Sequence, residues 1–394
     1  MILFSLACSP PLFTPDERRI ILRMEQKVEE ITDKSNQFAD VEEVREFGEK
    51  LFFDTRLSQN NTVACSTCHD PDLGWTDGKT LSMGLSETPR HAPSLWGIHR
   101  SRWFNWDGSC DSLWCQATGP IEKPGEMGLS RVELVSILST ESDLTEQYEV
   151  LFGPLPEAED WPLTGSPAPF ALPEDQTSWM ALSQDDQYAA TEVLVHIAKS
   201  IAAFQHSIVP PQTPIDDFVR AFVVDEYEAT STLTPQQERG LRLFIGEGQC
   251  HLCHSGSDLS DGQFHNIGLP PTDSLEDLGR YAGLEALSVH PFNKAGDWSD
   301  DPTGQHAQQL SRLTLTSEQL GRFKTPSLRQ ASFTAPYMHT GEFETLYDVV
   351  EHYTSVHPVP QVGHTEEFLL PLDWSKSDIE AVVQFVQMAS NTIQ

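Results

Sequence analysis

Basic residues are the first shortage. Only 25 Lys and Arg stand against 59 Asp and Glu in 394 residues, a net charge of −34. That balance disfavours nucleic acid and anionic membrane surfaces and favours basic partners, or serves solubility alone. Long apolar runs are missing too, and no stretch is long enough to span a bilayer. The start, Met1 to Cys8, is apolar and ends in Ser5-Leu6-Ala7-Cys8, similar to a bacterial lipoprotein cleavage site. It is shorter than a normal export signal and lacks a preceding Lys or Arg, so it reads equally as a truncated signal with a lipid anchor at Cys8 or as a terminus with an incidental cysteine. Strand patterns are scarce, which makes the fold class mainly α with little β.

Cysteine is sparse, with seven residues, but four of them fall in two copies of one pattern. These are Cys65-Ser66-Thr67-Cys68-His69 and Cys250-His251-Leu252-Cys253-His254. On a helical turn, positions i, i+3 and i+4 share a face, so two thiols bond to a porphyrin edge while the histidine ligates the iron. A zinc half-site would want a second Cys or His pair near each copy, and a redox dithiol needs no following histidine. The spacing therefore predicts two covalently bound haem c groups, held by Cys65, Cys68 and His69 and by Cys250, Cys253 and His254. Attachment of this kind occurs outside the cytoplasm, which predicts a periplasmic location where disulfides persist.

The length suits two domains, one per haem. Residues 1–40 read as an export segment followed by a leader helix from Pro15 to Lys34. Residues 41–232 read as an N-terminal haem domain and 233–394 as a C-terminal one. Val41, Val44, Phe47 and Leu51 recur at helical spacing ahead of the first motif, and Thr234-Pro235 caps a helix through Leu243 and Phe244 into the second. Glu192 to Ser207 reads as helix stopped by Pro210-Pro211, and the last helices are Thr345 to Tyr353 and Ser377 to Met388. Residues 70–102, 153–177 and 270–319 read as loop-rich.

Beyond the haem motifs, several stretches act together. They are Leu51-Phe52-Phe53-Asp54-Thr55-Arg56-Leu57-Ser58, Trp106-Asp107-Gly108, Gln116-Ala117-Thr118-Gly119-Pro120, Glu126-Met127, Lys324-Thr325-Pro326-Ser327-Leu328-Arg329 and Thr334-Ala335-Pro336-Tyr337-Met338-His339-Thr340-Gly341. With them, residues 41 to 390 resemble the bacterial di-haem cytochrome c peroxidases and the related MauG enzymes. The resemblance implies that peroxide reacts at the N-terminal haem and that the C-terminal haem passes electrons. It places Glu126 as the acid-base group, Gln116 as the polar partner that orients peroxide, and Trp106 between the haems as an electron relay.

Two departures from the methionine-ligated peroxidases point to the MauG side. In Ser82-Met83-Gly84-Leu85, leucine stands where those relatives carry a distal histidine, so the first haem is expected open unless His91 takes over. Tyr353 stands at the position of the methionine ligand of the second haem, where a phenolate would favour oxidised iron. The alternative is that Tyr353 is a core aromatic and His352 or Met388 ligates. Relatives also hold calcium between the haems. Thr334 and Pro336 match its carbonyl ligands, but His91 replaces an Asn, so calcium is expected to be weak, completed by water or absent. Cys110 and Cys115 lie outside the family pattern, and a disulfide between them requires a turn, because an unbroken helix holds residues five apart too far from each other.

The resemblance therefore implies an exported enzyme in which hydrogen peroxide reacts at the first haem and a high-valent state shared with the second oxidises an external donor, a partner protein in the MauG manner. Two alternatives stand beside it: a peroxidase drawing electrons from a small cytochrome or copper protein, and a plain di-haem electron carrier.

Overall fold

The computed structural model describes residues 11–27, 33–269, 276–355, 360 and 362–391. Cys8 lies outside the described residues. The fold is mainly helical, with one short antiparallel pair, Phe264–His265 against Phe323–Lys324. Among the described residues no helix is long and apolar enough to cross a membrane.

Two cores organise the molecule, and each is built on a crossing of two helices. In the first, Glu42–Phe52 buries Val44, Phe47, Leu51 and Phe52 against the long helix Gln184–His206. Gly48 permits the close approach, because a Cβ there would lie 1.8 Å from the Ser200 carbonyl oxygen. In the second, Pro235–Ile245 crosses Lys376–Gln387 in the same way, and a Cβ on Gly240 would lie 2.0 Å from the Ala381 oxygen. Proline in the first turn and a Thr234–Gln237 capping box begin Pro235–Ile245, and a Ser375–Asp378 box begins Lys376–Gln387. These caps satisfy amides that the helix itself leaves unpaired.

The second core also takes in segments from far upstream. Phe13, Ile21 and Met24, with Ile215, Phe218 and Phe222 of helix Pro214–Val224, pack against Leu241, Phe244 and Phe385. Arg329 fixes this arrangement. Its side chain is fully buried and donates to Asp216 Oδ2 at 2.7 Å, to the Met24 oxygen at 2.6 Å and to the Ser257 oxygen at 2.9 Å. By packing, helix Pro214–Val224 therefore belongs with the second core. An amphipathic helix announces that one face is buried, not which core receives it.

Several local expectations shift. The leader helix is Pro15–Leu22 and stops well before Lys34. The long helix begins at Gln184, not Glu192. Within the loop-rich stretches there are helices at Pro173–Ala181, Arg280–Ser288 and Gln305–Leu310. Each is short, with only one to three buried apolar positions, too few for a period to stand out from the surrounding Pro, Gly and acidic residues.

Candidate functional site

The first Cys-x-x-Cys-His copy forms a single helical turn, Cys65–Cys68, directly after the first core helix and its 3-10 extension Thr55–Leu57. His69 is held by a bond from Nδ1 to the Trp75 carbonyl oxygen at 3.1 Å. A carbonyl can only accept, so Nδ1 carries the proton and Nε2 keeps the lone pair a metal needs. The second copy repeats this detail. His254 Nδ1 donates to the Leu259 oxygen, also at 3.1 Å. In both cases the carbonyl belongs to a residue in the left-handed region, Trp75 at φ 63° and Leu259 at φ 49°.

None of the four motif cysteines is in a disulfide. Burial pushes Cys65 and Cys250 up to about 12 and Cys68 up to about 11. Both histidines are held below their ordinary value, chiefly by burial.

Residues around each motif fit a large planar group. A cavity of about 790 Å³ lies over the second motif, lined by Cys250, Cys253, His254, Tyr353, Trp374 and Lys324 among others. Trp374 Nε1 in its wall is buried without a hydrogen-bond partner. Among the described residues Lys324 Nζ meets only neutral oxygens, the Trp103 carbonyl at 2.9 Å and Ser101 Oγ at 3.1 Å. Burial lowers that lysine to about 8, so it would gain from an acidic substituent on a bound cofactor. Near the first motif, the indole nitrogen of Trp75, Ser82 Oγ and Asp77 Oδ2 are likewise buried and unpartnered, as is Trp96 Nε1 in the cavity wall. Buried polar atoms in native folds find partners, and unpartnered ones beside two thiol-histidine motifs fit the edges and side groups of haem.

Leu85 and Glu126 are brought together by backbone pairing. Leu85 N donates to the Glu126 oxygen at 2.9 Å, and Ser86 N to the Gly125 oxygen at 3.0 Å. Gly84 is required there, since a Cβ would meet Glu126 Cα and the Glu126 carbonyl oxygen at 2.7 Å. The Glu126 charge acts on Cys65, Cys68 and His69, which brings it together with the motif. Lys123 Nζ sits 2.9 Å from Glu126 Oε1. This pair was not anticipated, although Lys and Glu three residues apart in a turn were its signal. Gln116 is half-buried on helix Leu113–Glu122.

Trp106 is buried. Its Nε1 donates to the His91 oxygen at 2.8 Å and its own carbonyl accepts from Lys324 N at 2.8 Å. It lines the second cavity with Tyr353 and His254. His352 instead gives Nε2–H to the Ile267 oxygen at 2.9 Å, and Met388 lines a different groove, beside Pro214 and Gln237. Burial raises the Tyr353 phenol, so phenolate ligation requires a bound cation.

Thr334, Pro336 and His91 also line the cavity. His91 Nδ1 donates to the Lys79 oxygen at 2.7 Å. Cys110 and Cys115 are disulfide-bonded, with Cα atoms 5.7 Å apart. The turn that permits this precedes the helix, which starts at Leu113.

A family model described as di-haem cytochrome c peroxidase matches residues 42–222. The methylamine utilization protein MauG of Methylorubrum extorquens is 30% identical over 308 residues, covering 78% of this chain and 67% of that protein. The cytochrome-c peroxidase IdrP2 of Denitromonas iodatirespirans is 30% identical over 349 residues, covering 88% and 81%. Among solved structures, the diheme peroxidase BthA from Burkholderia thailandensis superposes with a TM-score of 0.64 at 18% identity, covering 93% of this chain and 90% of that one. At that identity the likeness speaks for the fold.

Proposed function

The chain belongs to the di-haem cytochrome c peroxidase and MauG family, and from that premise we propose an exported, periplasmic enzyme that carries two covalent haem c groups and reduces hydrogen peroxide at the first of them. Cys65, Cys68 and His69 would hold one haem, and Cys250, Cys253, His254 and Tyr353 the other. The first haem, when bound, supplies the iron at which the peroxide bond is broken. Each peroxide consumes two protons and two electrons and leaves as two waters. Glu126 takes the proton from one peroxide oxygen and delivers it to the other, while Gln116 holds the pair of oxygens in line. Leu85, packed beside Glu126, has no atom that binds iron, so the peroxide side stays open. Trp106 passes electrons between the sites.

The two electrons come from outside. The observation that carries a MauG-like reading is Tyr353, which shares a cavity with His254 while His352 and Met388 are engaged elsewhere. A phenolate there disfavours storage of a donated electron and favours withdrawal of electrons from a partner protein's side chain. Calcium is assigned no role. An ion held by the Thr334 and Pro336 carbonyls would need its remaining oxygens from water, since the His91 side chain supplies only nitrogen. IdrP2 is named a cytochrome-c peroxidase, and so a small cytochrome or copper protein as donor is the second reading.

Resonance Raman spectroscopy tests the choice. Tyrosinate modes in the resting protein that vanish in Tyr353→Phe support the first reading. Their absence, together with fast steady turnover on a small cytochrome, supports the second.

A further inference from the structure

Trp106 belongs in sequence to the first domain, yet the groups that grip its turn come largely from the second. Asn105 and Gly108 adopt φ of 63° and 69° and fold the chain back at Trp106-Asp107. Arg280, at the start of helix Arg280–Ser288, donates from Nη1 to the Gly108 oxygen at 2.6 Å and to the Asp107 oxygen at 3.2 Å. Its guanidinium lies between two aromatic faces, 4.1 Å from the Phe264 ring centre and 4.4 Å from that of Trp103. Arg280 is only 4% exposed and forms no salt bridge among the described residues. A buried cation whose hydrogen-bond acceptors are carbonyls costs stability unless those bonds and ring contacts offset it. One turn further along the same helix, Gly283 lets the chain come close, since a Cβ there would lie 2.2 Å from the Asp107 oxygen. Arg90 completes the grip from the first domain, joining Asp107 at 2.7 Å to Asp277 at 2.8 Å.

We propose that Arg280 is a positioning residue for electron transfer between the two sites, holding the Trp106 turn against the second domain and so fixing where the indole lies. This rests on the reading of Trp106 as the relay. Each transfer moves one electron through Trp106 from the second site to the first, so the second is oxidised by one and the first reduced by one. Arg280 takes no part in that exchange and sets only where the indole lies. A donor that bridges two carbonyls of one turn restrains its rotation in a way that packing alone does not.

The test uses the holoprotein with Arg280→Gln, Arg280→Lys and Trp106→Phe. Hydrogen exchange in the resting state should rise in segment 103–110 of the Gln variant, with the resting electron paramagnetic resonance (EPR) signals of both haems unchanged. After one equivalent of peroxide, loss of the second haem's signal should be slowed roughly tenfold or more by Gln. Lys, which keeps a charged donor, should recover most of the rate. Wild-type coupling in Arg280→Gln, or a Lys variant no better than Gln, would overturn the positioning role. Wild-type coupling in Trp106→Phe would instead remove the relay reading on which it stands. If the Gln variant does not take up haem, hydrogen exchange and coupling in the Lys variant against Gly283→Ala, which displaces the turn with Arg280 intact, decide the matter: wild-type coupling in Gly283→Ala would overturn it.

Discussion

The two haem-motif sites differ far less beneath the histidine than above it. Below, they are near copies: a glycine-crossed helix leads to the Cys-x-x-Cys-His turn, and a left-handed residue offers its carbonyl to histidine Nδ1 at 3.1 Å. Each core also carries a buried arginine pair, Arg131 with Glu122 in the first and Arg329 with Asp216 in the second. Beyond the histidine, Leu85 and Glu126 pair near the first motif, whereas Tyr353 shares a cavity with the second. The shared part is what any such haem needs, a neutral ligand of fixed orientation. On the proposed reading, the divergent part decides whether a small molecule or a protein side chain takes the opposite position.

Four changes would break or sharpen that contrast. Glu126→Gln, by removing the proton carrier, should slow the peroxide reaction about a hundredfold or more while both resting spectra stay unchanged. Stopped-flow mixing with peroxide reads this, and wild-type rates would remove Glu126 from the chemistry. Leu85→His should make the first site resemble the second, turning its haem low-spin by EPR and slowing peroxide by a similar factor. An unchanged high-spin signal would mean that residue 85 does not reach the iron.

Arg329→Met should cost about 3–5 kcal/mol in urea unfolding, because it strands the Asp216 charge in the second core. Burial opposes the Asp216 charge, but Arg329 and the surrounding donors hold its carboxyl below the usual range. Its contribution is therefore present above the unfolded carboxylate value and lost as pH falls through the lower folded one. The difference between wild type and variant should then shrink below about pH 4. A difference independent of pH would place the loss in packing. The smallest effect is expected from Cys110→Ser with Cys115→Ser, which opens a short loop worth roughly 2 kcal/mol. Its haem spectra should not change.

Much of this contrast was legible in the chain. Cys65, Cys68, His69 and their second copy declare themselves by spacing, and Leu85 and Tyr353 stand out once neighbouring motifs fix the count. Other features were not. Trp75 and Leu259 carry positive φ without being glycine, so nothing in their identity marks them as histidine partners. Helix Pro214–Val224 has a clear apolar face, but its docking on the second core depends on Asp216 meeting Arg329, more than a hundred residues later. Arg280 was hidden for the same reason, since its partners are backbone carbonyls, which any sequence supplies.

Low-temperature EPR of the resting ferric protein, before and after one equivalent of peroxide, tests the account most directly. One high-spin and one low-spin haem are predicted, with both signals lost on adding peroxide and returning slowly. Two low-spin haems indifferent to peroxide would contradict it, because the first site would then be closed and the difference between the sites would not be the one described.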